Sequence, residues 1–160
     1  MPTLRYQKIN AMKTARQLLQ QHPCGFNFIG PLAPVQQALY QLSATGCGYL
    51  VVMDGDAYQG IFTEANVVQH QAKEMATPAW VAVGQVLHQQ ALPGVDLDTS
   101  VEEIMQHMHA HHASHLPVFD GFRFAGVVSI YDVLEALISN PAECFAVPLE
   151  KELDEEAVVA

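Results

Sequence analysis

The stretch that decides the fold is SHLPVFDGFRFAGVVSIYDVLEAL, residues 114–137. It reads as a short apolar strand, an Asp-Gly turn, a returning strand and a helix opened by Ser129. GYLVVMDGDAYQGIFTEANVVQHQ, residues 48–71, has the same layout at an offset of 66. Without a gap, residues 35–70 fall on 101–136 with eight identities: Val35/Val101, Ala44/Ala110, Leu50/Leu116, Val52/Val118, Asp54/Asp120, Gly55/Gly121, Gly60/Gly126 and Val67/Val133. Leu39/Met105, Leu42/Met108, Ile61/Val127, Thr63/Ser129, Asn66/Asp132 and Val68/Leu134 keep their chemistry. A repeat of this size is one supersecondary unit made twice, each copy covering the other's apolar face.

Outward from the hairpins, Val35, Ala38, Leu39 and Leu42 form a helical stripe that stops at Gly46, a left-handed cap. Val101, Ile104, Met105 and Met108 repeat the stripe, with Ser100 and Glu103 spaced for a capping box. Strands are expected at Tyr49–Met53, Tyr58–Phe62, Leu116–Phe119 and Phe124–Val128, and a short aromatic one at Phe26–Ile29. Closing helices run from Thr63 through Val68, and over Ser129–Ser139 to a stop at Asn140-Pro141. Each copy thus reads β-α-β-β-α. Ile9, Met12, Ala15 and Leu19 predict a helix over about 8–21. AWVAVGQVL (79–87) resembles TARQLL (14–19) at an offset of 68, so each copy has its own lead-in. The chain divides into an N-terminal helix and lead-in (1–22), a first repeat (23–74), a linker and lead-in (75–90), a second repeat (91–140) and an acidic tail (141–160).

Half of the 160 residues are hydrophobic and 15% are charged, a globular composition. The formal charge is −10, from 17 acidic against 7 basic residues. Counterion release on nucleic acid needs the opposite balance, and an anionic membrane surface is disfavoured for the same reason. No run of 18 apolar residues spans a bilayer, and the N-terminus does not read as a secretory signal. Cys24, Cys47 and Cys144 are odd in number and widely spaced, as for reduced thiols in a cytoplasmic protein.

At this point the residues resemble the cystathionine-β-synthase (CBS) domain family, as a tandem pair of the Bateman regulatory type. The match lies in Leu116-Pro117-Val118 followed by Asp120, the glycine-containing hairpin, and Gly126 leading to Ser129 and Asp132. Val83–Val86 resembles the family's lead-in, and Asp98–Val101 its first helix start. Copy one departs from the pattern, with Val51 for the proline and Asn66 for the aspartate. The resemblance implies an α+β fold, two β-α-β-β-α repeats packed sheet to sheet with pseudo-two-fold symmetry. It implies a non-catalytic regulatory module that binds an adenosine-containing ligand (AMP, ADP, ATP, S-adenosylmethionine, sometimes NAD) between the copies, with no cofactor required. It also implies a homodimer and a regulated protein that the sequence does not name.

By the same resemblance the ligand site comprises Val95, Ser114, His115, Val127, Ser129 and Asp132, with a secondary, degenerate site at Ile29, Ile61, Thr63 and Asn66. The chemistry fits. Backbone amides at a helix start favour an anion, and the Ser129 hydroxyl adds a donor to phosphate. Asp132, one turn on, accepts from vicinal ribose hydroxyls, as acidic residues do in dinucleotide folds. Asn66 can bond a hydroxyl but lacks the charge-assisted strength, so one occupied site per chain is expected. The same Ser/Thr-x-x-Asp/Asn spacing also serves as a helix cap that needs no ligand. A constitutive dimerisation or adaptor module, its clefts closed by the side chains of Phe26, Phe28, Tyr49, Phe122, Phe124 and Tyr131, is the alternative.

Five of the eight histidines crowd into HMHAHHASH: His107, His109, His111, His112 and His115. His107 and His111, four apart, have a spacing that can chelate zinc, copper or nickel. No acidic or cysteine third ligand is near in sequence, and the expected reading is a solvated helix face with His112 at its C-cap and no assigned metal. No nucleophile elbow, phosphate-binding loop or HExxH sequence is present, and no catalysis is expected.

Overall fold

A computed structural model describes residues 13–21, 27–76, 78–87 and 92–139. Cys24, Phe26, Cys144, the expected helix residues 8–12 and the acidic tail lie outside the described residues. The first half contains α1 (Ala15–Gln21), β1 (Phe28–Ile29), α2 (Val35–Thr45), β2 (Leu50–Asp54), β3 (Ala57–Phe62) and α3 (Glu64–Glu74). The second contains α4 (Val83–Val86), β4 (Val95–Asp96), α5 (Val101–His111), β5 (His115–Asp120), β6 (Arg123–Ser129) and α6 (Ile130–Ser139). The architecture is α+β, with two three-stranded sheets ordered β1-β2-β3 and β4-β5-β6. In each, a parallel pair is followed by an antiparallel hairpin.

Local chemistry accounts for the elements. Val35, Ala38 and Leu42 are the buried face of α2, and Gly46, at φ 66°, closes it by donating its N–H to the Leu42 carbonyl. In α5 the Glu103 amide donates to Ser100 Oγ at 3.2 Å while Ser100 N–H donates to Glu103 Oε2 at 3.3 Å. That reciprocal box satisfies two amides left open by the helix start. The hairpins turn at Gly55 and Gly121, both with positive φ. Each hairpin slips register at the same place, between Val52 and Met53 and between Val118 and Phe119.

The lead-ins cross over. Helix α1 precedes copy one but packs with copy two, where Ala15 and Leu18 join Val101, Ile104, Met108, Leu116 and Val133 in one core. Helix α4 precedes copy two but packs with copy one, where Val83 and Val86 join Val35, Leu42, Val52 and Phe62. The backbone fixes the exchange. Ala15 N–H donates to Thr99 O at 2.9 Å and Val101 N–H to Lys13 O at 2.9 Å. In the other half Val35 N–H donates to Val81 O and Val83 N–H to Ala33 O, both at 2.8 Å. Each helix of a pair thus has its first amide satisfied by a carbonyl just ahead of the other helix. Pro34 and Ala82, the N-caps of α2 and α4, supply no side-chain cap, and the exchange replaces it.

A third apolar cluster lies between the sheets, with Tyr49, Val51 and Ile61 of copy one against Val127 of copy two. Around it Tyr58 stacks on Phe124 at 5.1 Å and meets the edge of Phe119 at 5.3 Å, and Phe28 meets Phe124 edge-on at 6.5 Å. The strands opposite the register slips carry Gly60 and Gly126, and the lead-ins lie over them. A Cβ on Gly126 would fall 2.8 Å from Leu19 Cδ2, and one on Gly60 3.5 Å from Leu87. We therefore expect Gly126→Ala to lower stability by about 1 kcal/mol, the low end for an overpacked site, because the flexible end of the partly buried Leu19 can give way. Gly60→Ala, in ordinary contact, should cost less. Urea denaturation of the two variants side by side checks the order.

Candidate functional site

A cleft of about 330 Å³ opens between the copies. One wall is the end of β3 and the start of α3, with Ile61, Thr63 and Asn66; the other is the turn from α5 into β5, with His111, His112, Ser114 and His115. Leu87 and Leu92, from the segment joining the copies, supply apolar surface. Five of the residues singled out from sequence are therefore brought together: Ile61, Thr63 and Asn66 from the secondary set, Ser114 and His115 from the primary set.

The others sit elsewhere. Ile29 and Val95, related by the 66-residue offset, are buried in the cores of their own copies, at 6% and 4% exposure. Val127 is buried in the inter-sheet cluster. Ser129 pairs in register with His115 across the second hairpin. Asp132 lies one turn into α6. Among the lining residues that sequence reasoning did not assign to the site are Tyr58, Gln69, Leu87, Leu92, His111 and His112. The two histidines had a signal, the HMHAHHASH cluster, and Leu87 had one in the lead-in similarity.

Both helix starts bond to themselves. Thr63 N–H and Oγ1–H donate to Asn66 Oδ1, at 2.7 and 3.1 Å. Ser129 N–H and Oγ–H donate to Asp132 Oδ2, at 2.7 and 2.9 Å, and the Asp132 amide donates back to Ser129 Oγ at 3.2 Å. One oxygen of each N3 residue is thus committed to capping. What remains for a ligand is chemically different in the two copies: the Nδ2 donors of Asn66 and the Oδ1 acceptor of Asp132.

His115 links the two halves of the arrangement. Its ring lies 4.9 Å from Tyr49, its own counterpart in copy one, and its Nδ1 is 3.0 Å from Ser114 Oγ. Burial pushes the imidazole below its ordinary pKa, and the charge of Asp132 opposes that shift without reversing it. Burial also pushes the Tyr58 hydroxyl up to about 12, so the phenol stays protonated. The cluster His107, His109, His111 and His112 lies on the exposed face and C-terminal end of α5. His107 and His111 stack at 6.5 Å, and His112 is the left-handed C-cap at φ 50°. Among the described residues no group of three or more His, Cys, Asp or Glu could hold a metal ion, and no helix is long and apolar enough to cross a membrane.

The lowered His115 pKa has a stability consequence. Between its folded value and the unfolded value of about 6.5, the unfolded chain binds more protons, so stability falls as pH drops through that window. We expect the loss of stability between about pH 7.5 and pH 5.5 to be smaller in His115→Gln than in the parent. Denaturation midpoints across that range, taken as the difference between the two proteins, check it; equal slopes would contradict it.

Comparison with known proteins supplies the family. A CBS-domain family model matches residues 83–139. A solved CBS domain, NE2398, is 30% identical, with a TM-score of 0.72 over 79% of this chain and 98% of that one. The CBS-domain protein ATU1752 of Agrobacterium tumefaciens is 26% identical, with a TM-score of 0.70 over 78% of this chain and 98% of that one. A protein of Burkholderia ambifaria MC40-6, described as a putative signal-transduction protein with CBS domains, is 25% identical, with a TM-score of 0.71 over 92% and 100%. No curated protein matches the chain. With its twice-written hairpin-and-helix unit aligned along nearly the whole of solved CBS domains, the chain belongs to the CBS-domain family.

Proposed function

We propose that this chain is a non-catalytic, cytoplasmic regulatory module that takes an adenosine-containing ligand between its copies and passes the ligand's presence to a separate protein. The observation that carries the reading is the inter-copy cleft. Its volume of about 330 Å³ is that of a small-molecule site, and its lining mixes apolar side chains with a few convergent polar ones. Ile61 and Leu87 offer surface for a base, while Asn66, Ser114 and His115 offer hydrogen bonds for a ribose and phosphate. AMP, ADP, ATP and S-adenosylmethionine are the ligands to try. No cofactor is required. Ligand bound between two packed halves acts by favouring the arrangement that binds it better, and by no more than that difference in affinity.

A specific observation favours the second reading, a constitutive dimer or adaptor with ligand-free clefts. Both N3 residues already cap their own helices, and Phe28, Tyr58, Phe119 and Phe124 fill space between the sheets. Thermal unfolding separates the two readings. A ligand at about a hundred times its dissociation constant adds roughly 2.7 kcal/mol, or about 5–10 °C for a domain of this size. We expect one adenosine compound to give such a shift. We expect the shift, taken from each variant's own midpoint, to shrink in Asn66→Ala more than in Asp132→Ala, because Asn66 lines the cleft. No shift with any of the compounds would select the adaptor.

Both readings share a homodimer. Helix α6 exposes Tyr131, Leu134 and Ile138 at helical spacing, with exposures of 75%, 46% and 82%. A second copy of the chain, presenting the same stripe, is the proposed occupant, since a two-fold interface matches a patch with itself. Ile138→Glu should shift light-scattering mass from dimer to monomer at unchanged helix content.

A further inference from the structure

We propose that the C-terminal end of α5 carries a site for a soft monovalent metal ion of the Cu(I) type, made from two thioethers and two imidazoles: Met105, Met108, His109 and His112. These four line one open pocket, which Ala113 and, from α6, Ile130 border with apolar surface. His112 and the two residues after it also border the inter-copy cleft, but the two methionines and His109 do not. The site goes beyond the adenosine reading, since a ligand between the copies neither requires it nor excludes it.

The spacing makes the cluster. Each of positions 105, 108, 109 and 112 stands three or four residues from two of the others, and such neighbours on a helix have Cβ atoms about 5–6 Å apart. Helix α5 runs through His111, and His112, its left-handed C-cap, donates its N–H to the carbonyls of His109 and Met108. Those bonds hold His112 against the last turn, beside the side chains it would share an ion with. Packing does not demand the four residue types, because copy one has Leu39, Leu42, Ser43 and Gly46 at the same positions. Leu42 serves one core where Met108 serves the other. His112 is the sharper case. At φ 50° it occupies a backbone position that copy one gives to Gly46 at φ 66°, one that favours glycine.

The donor set selects the metal. Zinc takes thiolate, imidazole and carboxylate, and among the described residues no three His, Cys, Asp or Glu come together to hold it. Thioether sulfur is a soft ligand that selects Cu(I), and imidazole suits copper as well. The two methionine sulfurs therefore complete a set that the two histidines only begin. The surroundings favour a cation. Among the described residues no Lys or Arg lines the pocket, and the C-terminal end of a helix carries partial negative charge. Ala113 and Ile130 offer no oxygen side chain that would draw a harder ion. His107 and His111, whose rings stack at 6.5 Å, lie outside this pocket and are the competing pair on the same helix.

Anaerobic titration of the untagged full chain with Cu(I), in competition with a colorimetric Cu(I) chelator, tests the site. Ag(I), an air-stable ion of the same charge and softness, serves for methionine-methyl NMR of the parent protein. We expect the chain to withdraw Cu(I) from the chelator, and Ag(I) to shift the methyl signals of Met105 and Met108 while leaving those of Met53 and Met75 in place. Met105→Leu/Met108→Leu takes copy one's residues and conserves volume, so it should fold, as its unfolding midpoint will show. It should weaken Cu(I) binding at least about a hundredfold, since loss of an outer-shell partner already costs about 10–100-fold. His109→Ser/His112→Gly, again copy one's residues, should do the same. His107→Gln/His111→Thr should leave the affinity unchanged. No withdrawal of Cu(I), Ag(I) shifts elsewhere than at Met105 and Met108, binding that survives the methionine variant, or binding lost with His107 and His111 would each overturn the site.

Discussion

The structure depends on the crossing of the two lead-ins. In each half, two helices begin side by side, each taking its first backbone hydrogen bond from the strand of chain ahead of the other. An amide at a helix start costs free energy if it is buried without a partner. Here the partners come from the opposite copy, so neither copy can close its own core. The apolar side of the exchange says the same: Ala15 and Leu18 complete one core, Val83 and Val86 the other. The exposed ion pair between Arg16 and Asp98 at 3.1 Å decorates this contact and adds little, because both partners are solvated.

The same crossing builds the cleft. Residue Leu87 follows α4 directly and so is carried to copy one, where it lies against Gly60 and helps line the space facing the α5–β5 turn. The cleft is thereby made from three stretches of chain far apart in sequence. One of its polar groups does double duty. Asn66 commits its oxygen to the start of the helix it sits on, which holds the side chain in place and leaves its amide nitrogen directed by that bond. A side chain held in this way loses little conformational freedom when a ligand arrives.

The hairpins and long helices were legible in the sequence because their signals are local. Asp54-Gly55 and Asp120-Gly121 demand positive φ, Ser100 and Glu103 form a box within four residues, and Val35, Ala38 and Leu42 share a face by spacing alone. The cleft was legible in part. Thr63, Asn66, Ser114 and His115 do converge, since each stands at a strand end in a repeated unit. Ile29 and Val95 lie instead in the cores, because a two-residue strand beside β2 or β5 turns its second or first apolar side chain inward. The crossing left only a faint trace, the change of offset from 66 to 68, which marks the lead-ins as separately placed segments without saying where they go. The role of Gly126 is similar: its recurrence showed in the overlay, but the side chain that lies over it, Leu19, belongs to the other copy's lead-in.

The crossing also sets an order of events during synthesis. Copy one acquires its last core segment once α4 has been made, a few residues after its own final helix. Copy two needs α1, which is made earlier and must wait until α6 is complete, about 118 residues later from Gln21 to Ser139. At roughly 5–20 residues per second that wait is about 6–24 s. Throughout it, Ala15, Leu18 and Leu19 lack the completed core that covers them in the fold, so a helix made early is, among the described ones, the last to find its place.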